Sequence, residues 1–305
     1  MSRLTAFVAV LAVSLTLTDG AQGGGTVLLH DSFNGPDDTT DLTGNTPHDI
    51  HLNSDLSSRQ AGSSLGTITY RLDVGGGNDP PYRNPYLSNN ALVMKGGSLY
   101  RSLNRSQIIS PRHDFVDSAI VDDGGFVIEL IVNPTGGNTS SDWFAVSLGH
   151  TSSSAGLADS YEQDVTDPEV DFGILFRGSG VFNTFRKGTG DPGGTYASGH
   201  AASDFFDIRI EVETQSFALG EIATVRTFVN DRPLDISTLP GDELTLLWDG
   251  DGTNYISLES RVLPSVLDDF KVSTIPEPST FILLAMGAVG LLFYARRRKR
   301  NRSTV

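Results

Sequence analysis

The sequence predicts an all-β protein built as an antiparallel β-sandwich. Three observations carry that expectation. Glycine supplies 33 of 305 residues, about 11% against an average near 7%. Short runs rich in β-branched and aromatic residues alternate with clusters of Gly, Asn, Asp and Ser, the usual punctuation between strands. No stretch before the C-terminal tail sustains an apolar period of 3.6 residues, so no amphipathic helix is expected there.

Taken in order, Thr26 to Phe33 reads as the first strand. Asn34 to Ser64 is polar, with few large apolar residues, and is expected to be a surface loop with short strands. Leu65 to Leu72 is strand-like, and Gly75 to Pro81 is a break. Ala91 to Met94 and Ser98 to Leu103 are candidates to pair across Lys95-Gly96-Gly97. In the middle, Phe126, Ile128, Leu130 and Val132 alternate with Val127, Glu129, Ile131 and Asn133. Trp143 to Leu148 and Asp171 to Arg177 follow the same pattern. Phe206, Ile208, Ile210 and Val212 point one way while Asp207, Arg209, Glu211 and Glu213 point the other, the clearest half-buried strand in the chain. Ala223 to Val229 ends at Asn230-Asp231, Leu244 to Trp248 precedes a turn at Asp249 to Gly252, and Tyr255 to Leu258 and Leu267 to Val272 complete the set.

Both termini read as transport segments. Residues 1–21 form a secretory signal, with Arg3, an apolar run from Leu4 to about Thr18, and small residues at the exit. At the other end, residues 275–302 begin with Pro276-Glu277-Pro278. An uncharged span at 279–295 follows, short for a full crossing, which wants about 20 residues. It is apolar all round, and the span is expected to form one transmembrane helix that anchors the precursor in the membrane. Arg296, Arg297, Arg298, Lys299 and Arg300 follow at once and act as a stop-transfer signal. The body expected between them is a single β-sandwich ectodomain over 25–274.

Charge and cysteine usage narrow the class. Six of the 22 basic residues lie beyond Pro278 and one, Arg3, in the leader, leaving 15 from the leader's end to Pro278 against 36 acidic residues, a net of −21. Such a surface repels nucleic acid and anionic lipid and suits solubility outside the cell. The absence of Cys excludes disulfides, thiol catalysis, Cys-metal sites and a lipoprotein anchor. An exported domain without disulfides must rest on a sizeable core, which a body of this length can supply.

Two resemblances add to this reading. Pro276-Glu277-Pro278, a short hydrophobic span and an Arg-rich terminus resemble the PEP-CTERM sorting signal of exported bacterial proteins. That resemblance implies recognition by exosortase, a membrane enzyme cutting near the motif, and delivery to the cell surface or an extracellular matrix. Residues 206–212, 225–234 and 267–272 resemble the closing strands of concanavalin A-like and laminin-G-like jelly rolls. In that fold the last strand returns beside the first, here Val27 to Phe33. The sequence departs from the family at Asp231, where a tight turn usually carries Gly.

Several motifs suggest chemistry. Glu169-Val170-Asp171 resembles the start of the strand motif E-x-D-x-E or E-x-D-x-x-E of laminarinase-type hydrolases, whose alternating carboxylates share one face. Here the third position is Gly173 or Ile174, so the motif is incomplete. Asp249, Asp251 and Asn254 space oxygen donors as in half of a calcium loop, though the same residues serve turns that need positive φ. Gly62 to Gly66 matches G-x-S-x-G, but a strand follows where a nucleophile elbow needs a helix. Gly188 to Gly193 matches G-x-G-x-x-G, again with no helix after it. His48 and His51 lack an evident third ligand. Trp143, Trp248, Tyr161, Tyr196 and Tyr255 are candidates to stack on a sugar. The reading that follows is an exported, non-enzymatic module, structural, adhesive or carbohydrate-binding, with calcium at Asp249, Asp251 and Asn254 as its one cofactor candidate. The alternative is a polysaccharide-acting hydrolase centred near Glu169.

Overall fold

A computed structural model describes residues 25–35, 52–74, 85–95, 106–134, 143–150, 170–187, 189–190, 193–196, 204–237, 242–249, 252–261 and 264–275. They belong to one compact unit, Gly25–Ile275. The elements in chain order are β1 (Val27–Asp31), α1 (Leu56–Arg59), β2 (Tyr70–Val74), β3 (Tyr86–Ser88), β4 (Ala91–Lys95) and β5 (Ser106–Pro111). Next come α2 (Ser118–Asp122), β6 (Gly125–Asn133), β7 (Trp143–His150), β8 (Phe172–Arg177), β9 (Val181–Arg186), β10 (Thr189–Gly190) and β11 (Gly194–Thr195). The chain closes with β12 (Phe206–Thr214), β13 (Ile222–Val229), β14 (Arg232–Pro233), β15 (Glu243–Leu247), β16 (Tyr255–Arg261) and β17 (Pro264–Thr274).

Among the described residues these strands form two antiparallel sheets. Sheet A runs β14-β13-β12-β6-β17-β4-β3, with β1 also on β17 and β15 also on β13. Sheet B runs β10-β9-β8-β7-β16-β5-β2, with β11 also on β9. The expected return of the last strand beside the first is present: Leu29 pairs with Val272 and Asp31 with Phe270.

The alternation read in β12 fixes the register of sheet A. Ile208, Ile210 and Val212 face the interior beside Leu130, Ile128 and Phe126 of β6. On β17 an extra residue, Asp268, bulges between Leu267 and Asp269, and this keeps Leu267, Phe270 and Val272 facing inward against β6. Sheet B supplies Phe144, Val146, Phe172, Ile174, Phe176 and Leu258 to the same core. Packing the two inner faces together is what removes this apolar area from water and stabilises the fold. At one margin, Arg186 of β9 donates to the carbonyl of Thr245 on β15 at 3.0 Å, tying sheet B to sheet A.

Three local expectations differ from what is found. The segment 52–60 is no surface loop: α1 brings Leu52, Leu56 and the side chain of Arg59 into the interior. β4 pairs with β3 across Asn89-Asn90, both at positive φ, and with β17. The suggested partner 98–103 lies outside the described residues. Asn230 and Asp231 both adopt positive φ, 50° and 59°, so the β13–β14 hairpin makes its tight turn without Gly.

Candidate functional site

Two groups of polar side chains meet around the outer face of sheet B. The first gathers Asp171, Asp249 and Asn254, residues that the sequence offers to separate chemistries. β7 bulges against β16 at Gly149, whose φ is +82°. A Cβ there would lie 2.5 Å from the Cβ of Asp171 and 2.6 Å from its Oδ2, so the glycine lets the carboxyl approach the backbone. The Gly149 N–H donates to Oδ1 of Asn254 at 3.0 Å. Asn254 in turn donates its own N–H to Asp114 at 2.9 Å, and its carbonyl accepts from Phe115 at 3.0 Å. Lys187 places Nζ 3.5 Å from Asp171 Oδ1.

Burial raises Asp171 from its ordinary value to about 6, and the nearby charge of Asp249 adds to the rise. Lys187 and a hydrogen bond from the Asp249 backbone partly offset it. The carboxyl thus titrates well above the ordinary carboxylate range.

The second group is a row across three strands. Trp143 of β7 lies directly opposite Arg261 of β16 on one side and Arg177 of β8 on the other. The Arg261 guanidinium stands 5.9 Å from the centre of the Trp143 ring, within cation–π range. Arg177 Nε donates to Asn183 Oδ1 at 3.1 Å. Trp143, Ala145 and Leu175 form a small apolar cluster on this outer face, with Phe185 against it. Trp143 itself is buried, whereas Arg177, Arg261 and Asn183 are half-buried. None of these three polar residues stands out in the sequence. Their juxtaposition arises from the order β16-β7-β8, and the one available signal is their place on the outward parity of each strand.

The other sequence candidates fall as follows. Trp248 is a core residue, its Nε1 donating to Thr214 at 2.9 Å. Tyr196 packs edge-on between Phe176 and Phe206, and Tyr255 is half-buried. Along the outward parity of β8 the chain reads Asp171, Gly173, Leu175, Arg177, so neither position after Asp171 adds a carboxylate. Asn254 Oδ1 is occupied by the Gly149 amide, and among the described residues no three His, Asp or Glu side chains are grouped to hold a metal. The G-x-S-x-G loop lies along β1, where Ser64 and Leu65 donate to the carbonyls of Val27 and Leu28. Tyr161, Glu169, Asp251, His48, His51, Pro276 to Pro278, the 279–295 span and Arg296 to Arg300 lie outside the described residues. No helix among the described residues is long and apolar enough to cross a membrane.

The sandwich and the row define a β-sheet module with an aromatic and arginine-bearing outer face. Residues 274–299 match the PEP-CTERM protein-sorting motif. This is the recognition signal for exosortase processing, and it marks the chain as an exported protein sorted to the cell envelope. No curated protein matches the sequence. Among solved structures the chain is similar to a laminarinase from Flavobacterium sp. UMI-01, at 12% identity over 81% of this chain and 100% of that one, with a TM-score of 0.44. It is also similar to a Bacillus subtilis protein with a galectin-like fold, at 13% identity over 74% and 94%, TM-score 0.41. Lectin I-B4 from Griffonia simplicifolia aligns at 11% identity over 68% and 92%, TM-score 0.39.

Proposed function

We propose that this chain is an exosortase-processed surface or extracellular-matrix protein whose concanavalin A-like jelly roll holds extracellular polysaccharide without cleaving it. The observation that carries this is the Arg261–Trp143–Arg177 row on a body destined for the envelope. Guanidinium groups match carboxylates and hydroxyls with paired donors. The Trp143 ring stands within cation–π range of Arg261, and Asn183 holds Arg177 by a hydrogen bond. On a body with a net charge of −21, two arginines flanking one ring single out this face for an anionic or hydroxyl-rich chain.

A hydrolase reading draws on Asp171, which sits on the same outward parity and is raised to about 6, a value suited to a general acid. Calcium at Asp249, Asp251 and Asn254 belongs to the same proposal as a structural ion for that end of the sheet. The test is to pass a panel of polysaccharides over the purified body. Retention without release of reducing ends supports the binding module. Reducing-end release abolished by Glu169→Gln supports the hydrolase instead, and neither retention nor release leaves a structural protein.

A further inference from the structure

The sorting motif starts where β17, an interior strand of sheet A, stops, with no linker between. β17 is paired on both sides, by β6 and by β1 with β4. Its last residue, Thr274, is fully buried. The Thr274 N–H donates to the carbonyl of Thr26 at 3.0 Å, and the Thr26 N–H donates to Thr274 Oγ1 at 2.8 Å. One residue on, the Ile275 N–H donates to the carbonyl of Gly125 at 3.1 Å. Two glycines press against this exit. A Cβ on Gly25 would lie 1.9 Å from the Thr274 carbonyl oxygen, and one on Gly125 would lie 2.7 Å from Ile275 Cδ1. Pro276 follows directly.

Enzymes that read an extended peptide do so through its backbone hydrogen bonds. Proline has no N–H. Within Pro276-Glu277-Pro278 the backbone therefore offers one donor, that of Glu277. The next donor upstream is the Ile275 N–H, and the fold has already committed it to Gly125.

From this we infer that the Gly25/Gly125 collar competes with the processing enzyme for the residues just before the motif, so that tail removal waits on fraying of Thr274 and Ile275. The inference rests on the sorting reading above. The step it limits is cleavage of a peptide bond near Pro276 to Pro278, in which the acyl group on the body side passes to water or an amine and the new amine leaves with the tail. The folded body is held in its anchored form until the end of β17 opens, which couples the rate of release to the local stability of the β1–β17 junction. Loss of one or two backbone hydrogen bonds is a modest barrier, equivalent to a rate factor of roughly ten.

The experiment follows tail removal from the full-length chain, by mass, in an exosortase-bearing host after a pulse of synthesis. A Gly-Ser-Gly-Ser insertion between Ile275 and Pro276 is expected to speed removal about tenfold. Thr274→Val, which deletes the acceptor for the Thr26 N–H, is expected to speed it several-fold while the body still unfolds cooperatively. An unchanged or slower rate for the insertion overturns the inference. The sorting reading fails separately: its signature is a tail that stays on the parent chain and is indifferent to Pro276→Ala with Pro278→Ala.

Discussion

Arg59 holds Asp31 in a paired contact, Nε to Oδ1 at 3.0 Å and Nη2 to Oδ2 at 2.6 Å, with neither side chain exposed. Further hydrogen bonds surround the pair. Arg59 Nη1 donates to the carbonyls of Leu52 and Ser54. Gln60 donates to Asp31 Oδ2 and to the Ile68 carbonyl, and accepts from the Ile68 N–H. The Phe33 N–H closes the set on Asp31 Oδ1. A buried ion pair is weak evidence of net stability, but removing one partner strands the other charge out of water. Arg59→Leu is expected to cost about 3–5 kcal/mol, read as a lower urea midpoint. The double change Arg59→Leu with Asp31→Leu should recover part of that loss. A single variant as stable as the parent contradicts this account.

Asp171 makes stability depend on pH. Its carboxyl ionises at about 6 in the fold against an ordinary 3.8, because of burial first and Asp249 second. A group harder to ionise when folded stabilises the fold below the lower value and loses that contribution as pH rises through the upper one. The fall is on the order of 2 kcal/mol between about pH 4 and about pH 7, solvent screening included. Asp171→Asn removes it. Urea unfolding at both pH values should show the stability difference between parent and variant changing by that order, in favour of the variant at the higher pH. Parallel pH profiles would refute it.

Gly149 is the hinge of the same cluster. Alanine there meets both a strained φ of +82° and the Asp171 side chain at 2.5 Å. Gly149→Ala is expected to lose at least about 2 kcal/mol. Gly252, also at positive φ but with open space around it, should lose only about 1 kcal/mol on the same change. Equal thermal shifts for the two variants would show that Asp171 does not crowd the position.

How much of this was open to the sequence follows from the range of each interaction. β12 was legible because its alternation is local and its two faces differ in polarity at every step. The β1–β17 pairing was legible through resemblance, although 248 residues separate Thr26 from Thr274. The Asp171–Gly149 approach was not, since it depends on β7 bulging at Gly149. Arg59 was hidden in a stretch whose polarity reads as surface, and one turn of helix buries it on Asp31. Trp143 was singled out, but its neighbours Arg177 and Arg261 become neighbours only once β8 and β16 flank β7.

Calcium gives a sharp outcome. Asn254 Oδ1 already accepts from Gly149, so an ion at Asp249, Asp251 and Asn254 would use that oxygen's second lone pair. Binding to the folded state alone raises stability by about 2.7 kcal/mol at a hundredfold excess over the dissociation constant. Adding calcium to chelator-treated body should therefore move the thermal midpoint upward by several degrees, and Asp249→Asn should erase the shift. A midpoint that calcium leaves in place removes the ion from the proposal.

The outer face of sheet B makes the most discriminating prediction, because sheet A carries its own outward arginine as a control. Arg226 pairs with Glu213 and Glu243 on that opposite face. Arg177 and Arg261 lie opposite Trp143 on the two strands that flank it, and the Arg261 guanidinium stands 5.9 Å from the centre of its ring. Arg177→Ala with Arg261→Ala is expected to weaken polysaccharide retention at least tenfold, about 1.4 kcal/mol, with a far-UV spectrum still dominated by strand. Arg226→Ala should leave retention intact and cost little stability, since exposed pairs contribute about 0–1 kcal/mol. If retention falls with Arg226 and survives the double change, the binding face lies on sheet A, and Trp143 is then the centre of a packing cluster alone.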